Sequence, residues 1–90
     1  MFLAFSVSPS EARIEGNATA VEGDTLILTC SADYPGKPAG DFHWIKPNGE
    51  RKKGPHLTLE KLNVNDDEGL YQCYMGNAYF NGTLGTHTLI

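Results

Sequence analysis

Apolar and polar residues alternate singly along most of this chain, and no stripe of helical spacing runs through it. The clearest run is Thr25-Leu26-Ile27-Leu28-Thr29-Cys30-Ser31, which follows the turn signal Glu22-Gly23-Asp24 and places Leu26, Leu28 and Cys30 on one face. After the Gly- and Pro-rich stretch from Asp33 to Gly40, Asp41-Phe42-His43-Trp44-Ile45-Lys46 predicts a second strand, with Phe42 and Trp44 alternating against His43 and Ile45. Pro47-Asn48-Gly49-Glu50 is a turn, and Arg51-Lys52-Lys53-Gly54-Pro55 leaves room for at most one short edge strand. His56 to Glu60 alternates again as a third core strand. Asn63 to Glu68 is a polar corner, and Leu70 to Met75 is a fourth strand with Tyr71, Cys73 and Met75 on one side. Thr83 to Ile90 closes the set. Leu59, Leu62 and Asp66 have helical spacing, but Asp66-Asp67-Glu68 followed by Gly69 confines a helix there to a single turn. Short strands separated by Gly, Pro and Asn turns predict an all-β sandwich or barrel.

The length of 90 residues supports one domain, expected to span 1–90, and excludes two. At this size folding hides only about 60–65% of the surface of the unfolded chain, so the core is thin and a cross-link would matter. Eleven acidic against seven basic side chains give a net charge of −4, which argues against nucleic acid as a partner. No apolar stretch approaches the roughly 20 residues that span a bilayer, so the domain is not expected to insert into a membrane. Met1-Phe2-Leu3-Ala4-Phe5 is apolar but short and lacks a basic flank; Met1 is read as a start placed before a mature fragment, the alternative being the tail of a signal peptide over residues 1–8. Residues 1–10 are expected to form an N-terminal segment or a first strand, with the core in 21–90.

One constellation narrows the fold. Cys30, Trp44 and Cys73 follow one another at about 14 and then about 29 residues, and Tyr71 lies two before Cys73 within Asp67-Glu68-Gly69-Leu70-Tyr71-Gln72-Cys73. Alone, two cysteines could be free thiols and one tryptophan simply core. Together they resemble the immunoglobulin superfamily over Val21 to Ile90. The resemblance implies a two-sheet immunoglobulin-like β-sandwich with one inter-sheet disulfide, Cys30–Cys73, an indole from Trp44 packed on it, and Tyr71 forming a tyrosine corner in the motif of Asp67 and Gly69. A bridge closing about 43 residues contributes roughly 4 kcal/mol in the loop-entropy model. The short gap between the second and third core strands resembles compact constant-like or I-set domains rather than variable ones. The arginine that usually pairs with the motif aspartate has no clear counterpart, and Arg51, Lys52 and Lys53 are the candidates to replace it.

A structural disulfide persists in oxidising compartments, and two N-glycosylation sequons, Asn17-Ala18-Thr19 and Asn81-Gly82-Thr83, point the same way. The expected location is therefore extracellular, in the ectodomain of a cell-surface or secreted protein, with intracellular muscle-type domains as the alternative. No Gly-x-Ser-x-Gly elbow, no cysteine outside the implied bridge and no telling His–acid pair argue for an enzyme. No cofactor is expected. His43, His56 and His87 are too dispersed for a recognisable zinc site, although a two-His site could form if His43 and His87 met on one sheet. The basic run Arg51-Lys52-Lys53 could bind sulfated polysaccharide or guard an edge against strand pairing.

If Trp44 and Cys73 face inward, alternation turns His43 and Ile45 outward on one strand, and Gln72 and Tyr74 outward on another. Asn81-Gly82 suits a two-residue hairpin turn, and that register sets Leu89 opposite Tyr74 and His87 opposite Gly76. The expected partner-binding face is Ile45, Tyr74 and Leu89 edged by His43, Gln72 and His87. A slip of one residue would turn Leu89 inward and leave Ile90 out. Members of the superfamily commonly bind proteins through this face, so the resemblance implies a recognition or adhesion module of a larger cell-surface protein, with a homophilic or heterophilic protein partner and a possible weak homodimer. A structural spacer and the ligand-binding domain of a growth-factor or cytokine receptor are the alternatives.

Overall fold

A computed structural model describes residues 5–17 and 19–90; the reading of Met1 and the apolar opening therefore lies largely outside the described residues. Among the described residues seven strands and one helical turn follow in the order β1 (Ala12–Glu15), β2 (Leu26–Ala32), β3 (Asp41–Ile45), β4 (Arg51–Lys53), β5 (His56–Leu59), α1 (Val64–Asp67), β6 (Gly69–Gly76) and β7 (Gly85–Leu89). They form two antiparallel sheets, β1-β2-β5 and β4-β3-β6-β7. The alternation that the sequence carries decides which side chains meet between them. Leu26, Leu28 and Cys30 from β2 and Leu57 and Leu59 from β5 face Trp44, Tyr71, Cys73 and Leu89 in one buried cluster.

Cys30 and Cys73 are joined by a disulfide with a Cα–Cα distance of 6.4 Å. Trp44 stands directly opposite Cys73 in the β3–β6 ladder, so its indole shares the inner face with the bridge it flanks. Its Nε1 has no hydrogen-bond partner among the described residues, and the ring therefore acts through packing.

β1 falls between the N-terminal segment and the core that the sequence pattern outlined. Ala-Arg-Ile-Glu carries only two apolar residues, yet Ala12 is buried and Ile14 packs on the core, opposite Ala32 and Cys30 of β2. β4 takes up the room that the basic run leaves for at most one short edge strand, and it joins β3. Two residues then carry the chain to the other sheet: Gly54 N–H donates to the Phe42 carbonyl beside β3, and the Pro55 carbonyl accepts from Cys30 of β2. Among the described residues no strand lies between β4 and β5, in keeping with a compact domain.

The polar corner is capped from within. Asn63 Oδ1 accepts from Asn65 N–H, and Asp67 Oδ2 accepts from Asn63 N–H at 2.8 Å, which closes the single turn α1. Asp67 thus uses a backbone donor in place of the arginine that the superfamily resemblance implies. The expected basic replacements lie on β4 at the far edge of the sheet that β6 enters, where Lys53 pairs with Asp41 at 3.3 Å, and among the described residues none of them pairs with Asp67. Gly69, at φ +139°, starts β6 where an added Cβ would lie 2.9 Å from Pro47 Cβ, so the motif glycine answers both a backbone and a steric demand.

The Tyr71 hydroxyl donates to the Asp67 carbonyl at 2.7 Å, tying β6 to the corner before it. Its pKa is pushed up to about 12, chiefly by burial and further by the Asp67 carboxylate. The folded chain consequently holds this proton more tightly than the unfolded chain, whose phenol titrates near 10. Stability from Tyr71 is complete below pH 10, falls as the pH rises towards 12 and is flat above, a loss of roughly 2–3 kcal/mol. Urea unfolding across this range should show the decline. Tyr71→Phe should abolish it, at a cost of about 1 kcal/mol at neutral pH for the lost hydrogen bond.

Candidate functional site

The outer face of β4-β3-β6-β7 collects the side chains that the inner face leaves over. His43 is paired with Tyr74, and Ile45 with Gln72 and Arg51. The His43 and Tyr74 rings stack, with centroids 5.1 Å apart and planes inclined by 22°. Residues His43, Ile45, Gln72 and Tyr74 therefore share one half-buried surface, as alternation predicts.

The contribution of β7 differs from the expectation. Leu89 is fully buried, at 0% exposure, and stands opposite Gly69 rather than Tyr74. His87 stands opposite Tyr71 on the inward-facing side, where its Nε2–H donates to the Asn17 carbonyl at 3.0 Å. Both leave the proposed face, which receives Thr86 and Thr88 instead. His43 and His87 thus lie on opposite sides of the sheet and do not form a two-histidine site.

Two local features cause the change. The hairpin turns earlier than Asn81-Gly82: Asn77 N–H donates to the Phe80 carbonyl, while Asn77 Oδ1 accepts from the N–H groups of Tyr79 and Phe80. That displacement alone would preserve the facing pattern. One extra residue then enters on the return strand, between the Gly82–Met75 hydrogen bond and the Gly85–Cys73 pair, and this bulge exchanges inside for outside. The carbonyl it frees, on Thr83, accepts from Ala12 N–H of β1. β1 approaches so closely here that a Cβ on buried Gly85 would lie 2.5 Å from the Ala12 carbonyl oxygen.

The same bulge turns Leu84 outward. Leu84 joins Ile45, Arg51, Tyr74, Asn81 and Gly82 around a shallow cavity of about 340 Å³, with exposed Phe80 and Tyr79 on the hairpin above and Leu70 lower on β6. Leu70 was legible from the alternation that marks Gln72 and Tyr74. Leu84 was not, since its direction depends on the bulge.

Asn81 and Thr83 are exposed, as are Asn17 and Thr19 of the other sequon. Among the described residues no group of three or more His, Cys, Asp or Glu could hold a metal ion, and no helix is long and apolar enough to cross a membrane.

An antiparallel sandwich clamped by an inter-sheet disulfide, with a tryptophan beside the bridge and a tyrosine hydrogen-bonded to the preceding corner, defines an immunoglobulin-type domain. The family model for the immunoglobulin domain matches residues 6–90, and the chain belongs to the immunoglobulin superfamily. It is 30% identical over 89 residues to human neural cell adhesion molecule L1-like protein, covering 91% of this chain and 7% of that protein. It is also 27% identical over 78 residues to limbic system-associated membrane protein of Gallus gallus, covering 86% of this chain and 23% of that one. The chain thus spans less than a quarter of either relative's length. The amphioxus IgVJ-C2 molecule has the same fold, with a TM-score of 0.70 at 24% identity over 94% of this chain and 46% of the other.

Proposed function

We propose that this domain is an extracellular, non-catalytic recognition or adhesion module that binds a protein partner through the outer face of β4-β3-β6-β7. The observation that carries the reading is the cluster of Ile45, Tyr74 and Leu84 around one cavity, with the Tyr74 ring held in place by stacking on His43. A rigid aromatic beside a concavity loses little entropy when a partner packs on it, and such residues supply much of the energy of protein interfaces. Arg51 at the rim adds a charged donor that can select a partner's carboxylate. Kinship with a cell adhesion molecule and a membrane protein supports the cell-surface location and the protein partner.

A second copy of the chain is the first partner to test. Sedimentation velocity over a concentration series should show weak self-association of the unglycosylated wild type. Tyr74→Ala and Ile45→Asp should each weaken it about thirtyfold or more, a hot-spot loss of about 2 kcal/mol, with the far-ultraviolet β-sheet circular dichroism retained. A wild type that stays monomeric at every concentration would reject self-recognition, leaving a heterophilic receptor domain or a spacer.

A further inference from the structure

The Asn81 sequon does not stand at the hairpin tip. We propose that Asn81 carries an N-linked glycan that lies over the Tyr74 cavity and governs access to it, an inference that rests on reading this face as the partner surface. Asn81 is paired with Gly76 at the last rung of the hairpin below the turn. A Cβ on Gly76 would lie 2.8 Å from Asn81 Oδ1 and 3.1 Å from Tyr74 Cε2. The missing side chain of Gly76 therefore leaves a space into which Asn81 Oδ1 and the Tyr74 ring both reach. A sugar on Nδ2 of that amide is attached to a residue that lines the cavity together with Tyr74.

The covalent step is a glycosyl transfer from a lipid pyrophosphate-linked oligosaccharide. Asn81 Nδ2 forms a bond to C1 of the first sugar, the C1–O bond to pyrophosphate breaks with its electron pair leaving on the lipid pyrophosphate, and one amide proton passes to solvent. The acceptor requirements are met, since Asn81 and Thr83 are exposed and residue 82 is not proline. The cavity, at about 340 Å³, falls at the lower end of the range of small-ligand sites, about 300–1,000 Å³, and suits one or two sugar rings. Its lining offers the apolar surfaces of Tyr74 and Leu84 to the C–H face of a sugar, and the Arg51 guanidinium to its hydroxyls. A protein partner would need the same surface.

Asn17 provides an internal control. Its carbonyl is bonded to His87 on the inward-facing side of β7, away from the Tyr74 face, so a glycan there leaves the cavity open.

The experiment secretes the chain from mammalian cells as wild type, Asn17→Gln, Asn81→Gln and Thr83→Ala, the last keeping Asn81 but removing the sequon. Occupancy is read by peptide mass spectrometry after enzymatic deglycosylation, and exposure by carbene footprinting. Asn81 should be occupied, and labelling of Tyr74 and Leu84 should rise several-fold in Asn81→Gln and Thr83→Ala while that of the remote Tyr34 stays constant. Asn17→Gln should match the wild type. An unmodified Asn81 would overturn the proposal, as would an occupied Asn81 with Tyr74 labelled equally in all four proteins. Neither readout needs a partner, so a face masked by sugar in a domain that binds nothing when unmasked would reject the functional reading and leave the glycan's placement standing.

Discussion

Replacing both Cys30 and Cys73 by alanine is expected to lower the unfolding free energy by about 4 kcal/mol, the loop-entropy value for a closed segment of 43 residues. Small domains have only roughly 5–15 kcal/mol in total, so the loss is a large share. Most of it is exerted on the unfolded chain, which regains conformations that the bridge forbids, and the inner faces of the two sheets also lose sulfur that Trp44 packs beside. Urea denaturation of wild type and double variant would read the difference from the midpoints. A fall below about 1 kcal/mol would mean that hydrophobic contact between the sheets holds the sandwich largely unaided. Using alanine at both positions avoids a lone thiol, and the chain has no other cysteine to exchange with.

Leu89→Ala should cost about 2–5 kcal/mol, the range for a buried leucine whose site cannot collapse. Leu89 is fully buried in the common cluster, while its neighbour Ile90 is 71% exposed. Ile90→Ala should therefore change stability by no more than about 0.5 kcal/mol. The pair tests the bulge directly, because a β7 without the extra residue would present Leu89 to solvent and give the opposite order. Denaturation midpoints at unchanged m-values decide between the two registers.

The contrast between β6 and β7 shows what a sequence can and cannot disclose here. Tyr71, Cys73 and Met75 alternate with Gln72 and Tyr74 without interruption, so burial follows from period alone, and the Cys…Trp…Cys order points to the sandwich through its resemblance to the superfamily. β7 obeys the same alternation, but its register is set by where the hairpin turns and its phase by whether a bulge follows. The turn is held by Asn77, whose side chain outcompetes the apparent Asn-Gly signal, and the bulge is held by a hydrogen bond from Ala12, far away in the chain. No local pattern around Thr83 reports that partner. β1 was faint for a related reason: with one alanine and one isoleucine as its apolar residues, it is a strand because β2 and the β7 bulge supply its hydrogen-bond partners. Thus four of the six residues of the expected face, His43, Ile45, Gln72 and Tyr74, could be read from strand alternation, whereas Leu84 and the outward threonines depended on long-range geometry.

The bridge has one more effect when a load is applied to the two ends of the chain. Tension passes from the β2 backbone through the sulfurs into β6 and bypasses everything between Cys30 and Cys73. That segment, about 150 Å long if drawn out at roughly 3.3–3.6 Å per residue, stays unextended even after both sheets have come apart. A domain of this kind yields only the lengths before β2's cysteine and after β6's, so under tension it behaves as a short tether with a fixed stop.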